Sequence, residues 1–275
     1  MRNFERCLSA LLVMSFCFIL GREAVGFSST KPTIPATRGS SLLKVYSMGE
    51  FRTHLMSVLA GGVASADILV SFDWDGTLNG GRVVEGKRVL GVRDGEQTFE
   101  LINYLNSNGI PYFINTAAGP TRVAVVRTAM LVAGMQERSG GPFVKRELKC
   151  STELSQGCNG DLGKAVTHRV GTSVIGQCDC VFSAEYEKTK VIEFVIEKFH
   201  PRPRVVIHVD DSALMVKEGF EVFSSAPFEF QGVFYPPLGV SAHPEPGQEE
   251  AERFIDSHLG RGREPTSATT QSKKR

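Results

Sequence analysis

The sequence carries almost no net charge: 31 basic residues stand against 30 acidic ones, a formal charge of +1. A field of one sign over the whole surface is excluded, and with it attraction of nucleic acid or an anionic membrane by bulk charge. No internal repeat is present. After residues 7–20 no apolar run reaches the length that a bilayer core of about 30 Å requires, so the mature chain is expected to have no membrane span. Cysteine is sparse, six in 275 residues, and two of them, Cys7 and Cys17, fall in that N-terminal run. What the chain does have is apolar content, 41% of residues, enough for one large α/β domain or two small ones.

The N-terminus reads as an address. Arg2 and Arg6 precede fourteen almost wholly apolar residues, 7–20, and Ala24-Val25-Gly26 places small residues where a signal peptidase reads them. Residues 1–26 are therefore expected to be a signal peptide, with a single membrane anchor as the competing reading. From 24 to 49 there is no acidic residue, while Ser, Thr, Pro, Lys31, Arg38 and Lys44 recur. Residues 27–46 thus have the composition of a transit peptide or of a flexible linker. The pair is similar to the two-part presequences that deliver proteins to plastids of secondary origin, so the destination is expected to be such a plastid or the cell exterior.

Folding is expected to begin at Ser47, where Ser47-Met48-Gly49-Glu50 has capping-box spacing and Phe51, Leu55 and Leu59 share a helical face that ends at Gly61-Gly62. Then comes Val70-Ser71-Phe72-Asp73-Trp74-Asp75-Gly76-Thr77, an apolar run typical of a buried parallel strand ending in two carboxylates one residue apart. At a strand end neither carboxylate is fully hydrated and their charges repel, so a cation, best Mg2+, is needed to keep both ionised. Gly76 lets the backbone turn and approach an anion closely, and Thr77 offers a hydroxyl within the turn. A surface Asx-turn or a calcium loop is the alternative, but residues 77–80 lack the further acids a calcium loop needs. The stretch resembles the first motif of the haloacid dehalogenase superfamily, whose phosphatase members carry Asp-x-Asp-Gly-Thr after an apolar strand.

The rest of the chain can be laid against that resemblance. A polar stretch with a short hairpin near Gly80-Gly81-Arg82 leads to a helix with Phe99, Ile102 and Leu105 on one face, stopping at Gly109. Residues 110–116 read as a second strand ending in Thr116, and Gly119-Pro120 opens a helix with Val123, Val126, Met130 and Ala133 inward. Only forty-two residues lie between Asp73 and Thr116, room for a flap and no more. Thr116 fits the second motif, where a hydroxyl can meet a phosphoryl oxygen without adding charge, although a Thr at a strand end is more often a helix cap. Ala117-Ala118 departs from the Thr-Ala-Arg of some relatives and removes a substrate-contacting cation. Residues 134–181 are Gly-rich and weakly periodic, and are expected to hold a small cap insert where substrate choice lies. They contain Cys150, Cys158, Cys178 and Cys180, read as one or two disulfides, with a zinc site or buried thiols as alternatives.

Lys188, or Lys190 as runner-up, opens an amphipathic helix with Val191, Ile192, Val195 and Phe199 inward, and matches the third motif. A cation at a helix N-terminus opposes the dipole, which implies a compensating anion or carboxylate nearby. Val205-Val206-Ile207-His208-Val209-Asp210-Asp211-Ser212 repeats the opening theme and matches the fourth motif. Adjacent strand residues face opposite ways, so Asp210 and Asp211 can both serve only if the strand has ended between them. His208 reads as a core histidine. A short helix around Leu214 is expected to lead into a strand over 221–224, and residues 241–275 are read as a polar, disordered tail with a short helix near Phe254.

The resemblance implies a three-layer Rossmann-like α/β sandwich of residues 47–240 with a mainly parallel sheet, and a Mg2+-dependent phosphomonoester hydrolase acting on a small phosphorylated substrate. Asp73 would be the nucleophile, Asp75 the acid and base, and Thr116 and Lys188 the partners of the phosphoryl oxygens. Mg2+ would be held by Asp73, Asp75 through its carbonyl, Asp210, and Asp211. Asp75 argues against a dehalogenase. Within the superfamily the chain is most similar to a short-capped branch that shares the Asp-Asp-Ser ending. A non-catalytic binding or assembly protein that keeps the fold is the competing class.

Overall fold

A computed structural model of the chain describes residues 39–80, 82–84, 87–89, 91–133, 165–237 and 246–259. The expected signal and transit segments up to residue 38, the first part of the expected cap insert, Cys150, Cys158 and the end of the tail lie outside those residues.

In chain order the elements are β1 (Ser41–Lys44), α1 (Met48–Ala60), β2 (Ile68–Phe72), β3 (Arg82–Val84), β4 (Lys87–Val89), α2 (Glu96–Ser107), β5 (Tyr112–Asn115), α3 (Val123–Ala133), β6 (Val166–Val170), β7 (Ser173–Cys178), β8 (Val181–Ser183), α4 (Lys188–Phe199), β9 (Val205–Asp210), α5 (Ala213–Phe223), β10 (Glu229–Phe234) and α6 (Gln248–His258). Eight strands form one sheet in the order β1-β10-β9-β2-β5-β8-β7-β6, while β3 and β4 make a separate antiparallel hairpin. From β1 to β8 every neighbouring pair is parallel; β7 and β6 are added antiparallel.

The strands are apolar on both faces because helices cover both. Ile68, Val70 and Phe72 of β2 pack with α1, α2 and α3 on one side, and Leu69 packs with α4 on the other. β5 divides in the same way, with Tyr112 and Ile114 against Phe113, as the two-residue period of a strand demands. On the first face Phe72 is wedged between Phe51 and Tyr112, with ring centroids at 5.7 and 6.3 Å in edge-on geometry. The result is a three-layer α/β sandwich. From β2 the chain moves to β5 and β8 by helices on one face, then returns to β9 and β10 by α4 and α5 on the other. Its direction reverses between β2 and β9, and in open parallel sheets the crevice at such a reversal, at the carboxyl ends of the strands, is where ligands bind.

Several local expectations meet a different outcome. The strand expected over 221–224 is the last turn of α5, because Ala213, Val216 and Phe223 form a helical face against the sheet; the strand lies at Glu229–Phe234. β1 falls within the expected linker 27–46, where parallel pairing with β10 turns Ser41–Lys44 into a sheet edge. The short helix expected near Phe254 is present as α6, but it is part of the folded body rather than of a disordered tail, burying Ala251 and Ile255 against Leu42, Val216 and Phe234. The described part of the expected cap insert contributes β6 and β7 to the main sheet, and Cys178 and Cys180 are buried and disulfide-bonded. No helix among the described residues is long and apolar enough to cross a membrane.

Candidate functional site

Four charged side chains meet at the carboxyl edge of the sheet, at the reversal. Asp73 directly follows β2, and its N–H donates to Val209 O at 2.9 Å, extending the ladder with β9 by one rung. Asp210 closes β9, its carbonyl accepting from Tyr235 N at 2.8 Å. Since β9 ends at Asp210, Asp211 is free of the strand's alternation and its carboxylate turns to the same side. One oxygen from each of Asp73, Asp210 and Asp211 lies within 4.8 Å of the other two. Lys188, the first residue of α4, reaches across the sheet: its Nζ donates to Asp73 Oδ1 at 2.7 Å and to Asp210 Oδ2 at 2.6 Å. These carboxylates are the anions that a lysine at a helix N-terminus needs. Lys190 faces solvent and pairs with Glu193 at 2.8 Å.

The electrostatics of the group can be sized. At an effective dielectric of about 20, two carboxylates 4.8 Å apart repel by about 3 kcal/mol or more, and each Lys188 contact attracts by about 6. One ammonium therefore roughly offsets the mutual repulsion of three carboxylates and leaves their desolvation unanswered. Burial raises Asp73 well above the ordinary carboxylate range, with Lys188 opposing and Asp210 and Asp211 adding to the rise. Burial acts on Asp210 in the same sense, but Lys188 and then His208 overcome it and hold Asp210 down at about 2. Burial, then the Asp210 charge, pushes Asp211 up to about 7. Lys188 is held above its usual value because the Asp210 and Asp73 charges outweigh the opposing effect of burial, the largest single contribution. A site with three converging carboxylates and one lysine is a net-negative, all-oxygen donor set, which fits a hard divalent cation.

The turn after β2 is tied to itself. Leu78 N and Asn79 N donate to Trp74 O at 3.1 and 2.7 Å, and Gly76 N donates to Asn79 O at 3.0 Å. Gly76 sits at φ +79, and a Cβ there would lie 1.9 Å from Asp211 Oδ2, so no other residue type fits between the turn and that carboxylate. Asp75 is exposed at the rim, its Oδ1 accepting from Asn79 Nδ2 at 3.3 Å, and its side chain is outside the buried carboxylate cluster. The Thr77 hydroxyl is buried and has no hydrogen-bond partner among the described residues. Thr116 follows β5 at the same edge and is fully buried; its Oγ1 accepts from Ala118 N at 3.2 Å.

His208 is the core histidine that the sequence suggests, but its partners, and two further neighbours, escape a reading of sequence. His208 faces Ser71 across the β2–β9 pair, Nδ1 at 3.1 Å from Ser71 Oγ, while Nε2 stands 3.2 Å from Asp210 Oδ2. Ser, His and Asp in line invite comparison with a nucleophilic triad, but Ser71 is wholly buried within β2, away from any substrate. Asn115 Nδ2 donates to Lys188 O at 2.9 Å and fixes the start of α4. Arg93, buried beside the turn, donates to Gly76 O. Asn79, four residues after Asp75, is close enough in sequence to be suspected; Asn115 and His208 arrive from distant strands and Arg93 from the turn before α2.

Comparison of the chain with protein-family models, with curated proteins and with solved structures found no match.

Proposed function

We propose that the chain is a Mg2+-dependent phosphomonoester hydrolase of the haloacid dehalogenase type, working through a phosphoryl group carried by Asp73. The observation that carries the reading is the buried Asp73–Lys188–Asp210 bridge with Asp211 beside it, at the reversal of a parallel sheet. A carboxylate nucleophile needs its charge kept, and burial, with Asp210 and Asp211 adding to it against Lys188, pushes Asp73 toward its neutral form. A divalent cation held by Asp73, Asp210, Asp211 and the Asp75 carbonyl would reverse that, and when bound it supplies charge neutralisation and polarisation of the phosphoryl oxygens.

Asp73 attacks phosphorus with the oxygen that Lys188 does not hold. The bond from phosphorus to the ester oxygen breaks as Asp75, at the solvent rim, gives its proton to the departing alkoxide. Water then attacks the phosphoryl group, Asp75 takes a proton from it, and the bond to Asp73 breaks to release inorganic phosphate. Lys188 balances charge on the equatorial oxygens as it develops. Thr116 accepts from Ala118 N, which leaves its own O–H proton to donate to a phosphoryl oxygen. The disulfide-bonded Cys178 and Cys180 favour the secretory route and an oxidising destination over a reducing stroma.

The test is hydrolysis of p-nitrophenyl phosphate and a panel of small phosphoesters with Mg2+ or EDTA, alongside Asp73→Asn. Turnover that needs the metal and vanishes in the variant supports the hydrolase. A folded, cation-binding protein inert to every phosphoester would instead leave a binding protein built on the same fold.

A further inference from the structure

Arg93 is a buried cation, 3% exposed, that makes no ion pair among the described residues. Its guanidinium spends its donors on backbone carbonyls: Nη1 on Gly76 O and, at 3.4 Å, on Tyr235 O, and Nη2 on Pro236 O. Its plane lies over the Tyr235 ring, 3.4 Å from the centroid. The Tyr235 hydroxyl in turn donates to Asp94 Oδ2, which also accepts from Met48 N at 2.7 Å. Burying a guanidinium costs several kcal/mol unless its surroundings compensate. A fold that only needed to fill this space could do so with an apolar side chain.

The carbonyls show what the cation joins. Gly76 belongs to the turn after β2 that carries Asp73 and Asp75, and it presses against the Asp211 carboxylate. Tyr235 and Pro236 continue β10, whose end holds Asp210 through Tyr235 N. Arg93 thus binds at once the turn that follows Asp73 and the end of β10, the segment hydrogen-bonded to the Asp210 backbone, and its charge reaches Asp211. Its own backbone is fixed to the turn as well, with Arg93 N donating to Leu78 O at 2.9 Å.

We propose that Arg93 is a positioning residue of the cation site, locking the Gly76 turn to the end of β10 so that Asp73, Asp210 and Asp211 converge with the spacing a divalent cation needs. The inference rests on the reading of this cluster as a cation site and is independent of which reaction the site performs. Groups that orient metal ligands from outside the coordination shell change metal affinity by about 10–100-fold when removed. A lysine keeps the charge but carries one nitrogen and cannot span three carbonyls from two segments.

Full-length wild type, Arg93→Met, Arg93→Lys and Arg127→Met are compared by circular dichroism, thermal melting and Mn2+ titration followed by electron paramagnetic resonance, with Mg2+ competition. Arg127 is equally buried and pairs with Asp179 at 2.8 Å on the other side of β5, so its loss reports a structural effect alone. The expected result is cation affinity weakened by about 10–100-fold in Arg93→Met and by a smaller factor in Arg93→Lys, with Arg127→Met unchanged in affinity even where its melting temperature falls. Should Arg93→Met fail to fold, Arg93→Lys carries the test. Wild-type affinity in a folded Arg93 variant overturns the inference and leaves the hydrolase standing, as does an equal loss of affinity in Arg127→Met. Weakened affinity in a protein that hydrolyses no phosphoester keeps Arg93 and removes the hydrolase. A wild type that binds neither ion overturns both.

Discussion

Replacing Lys188 with Met tests the electrostatic account of the site most directly. Nζ sits 2.7 and 2.6 Å from two carboxylates that are themselves buried, and the side chain is almost wholly enclosed. Removing one partner of a buried ion pair costs about 3–5 kcal/mol, because the charges left behind have lost both water and counter-charge. Against a total stability of about 5–15 kcal/mol that is a large share. At about 2–4 °C per kcal/mol for a domain of this size, melting in EDTA should fall by about 6–20 °C. A divalent cation can take over part of the work of the lost ammonium, and binding at a hundred times its dissociation constant returns about 2.7 kcal/mol. The rise in melting temperature from EDTA to Mg2+ should therefore be at least as large in Lys188→Met as in wild type, while on the proposed reaction turnover stays low, because the lysine would also serve the transferred group. The assay is thermal unfolding by circular dichroism at pH 7 in the two conditions. A variant that melts within a degree of wild type in EDTA would show that the three carboxylates do not depend on Lys188, and the argument from charge balance would fail.

Asp73→Asn keeps the shape and the contact with Lys188 but removes the proposed nucleophile and one of three crowded charges; on the hydrolase reading turnover should fall by at least about 10⁴-fold while the melting temperature in EDTA rises or holds. Gly76→Ala forces a Cβ to within 1.9 Å of Asp211 Oδ2 at a positive φ, and Mn2+ titration should show cation affinity lost in a chain whose circular dichroism is unchanged. Asp211 supplies the pH test: its folded value, about 7, is above the ordinary 3.8, so its contribution to stability is complete at pH values below about 4 and is lost as pH rises toward 7. In urea unfolding in EDTA, Asp211 should contribute at most about 4 kcal/mol to the fall in stability across that window, to which Asp73 adds in the same direction, and Asp211→Asn should reduce the slope; an unchanged slope in the variant would refute the assignment.

Much of this arrangement could be read from the chain because a strand buried on both faces must be apolar throughout, so 68–72 and 205–209 stand out and the acids that end them stand out more. The end of α5 reads as a strand in sequence for a related reason. Glu221-Val222-Phe223 has a strand's residue types, yet Phe223 completes a helical face with Val216 and Gly219 against Phe230, and packing overrides propensity. The true strand beyond it is disguised by Gly232, which has no side chain because Leu42 and Val216 fill the place a Cβ would take. β1 is only four residues long, two leucines between a Ser and a Lys, and becomes a strand where β10 offers an edge.

The site divides along the same physical line. Asp73 and Asp210 are legible because a buried charge at a strand end has few structural explanations. Thr116 and Lys188 are ambiguous one at a time, since a cap and a solvated lysine are the commoner roles for such residues. The ambiguity for Lys188 is resolved by strand order, a property no local window contains: β9 returns to lie beside β2, bringing residue 210 within one lysine's reach of residue 73 while α4 starts above both. Arg93 is the limiting case. Its neighbours in sequence, Val92 and Asp94, say nothing of its role, and its acceptors at 76, 235 and 236 lie up to 143 residues away. Charges gathered at a strand end announce themselves because their chemistry is out of place in a core, whereas a group whose proposed part is only to hold them in position is defined by distances that exist after folding.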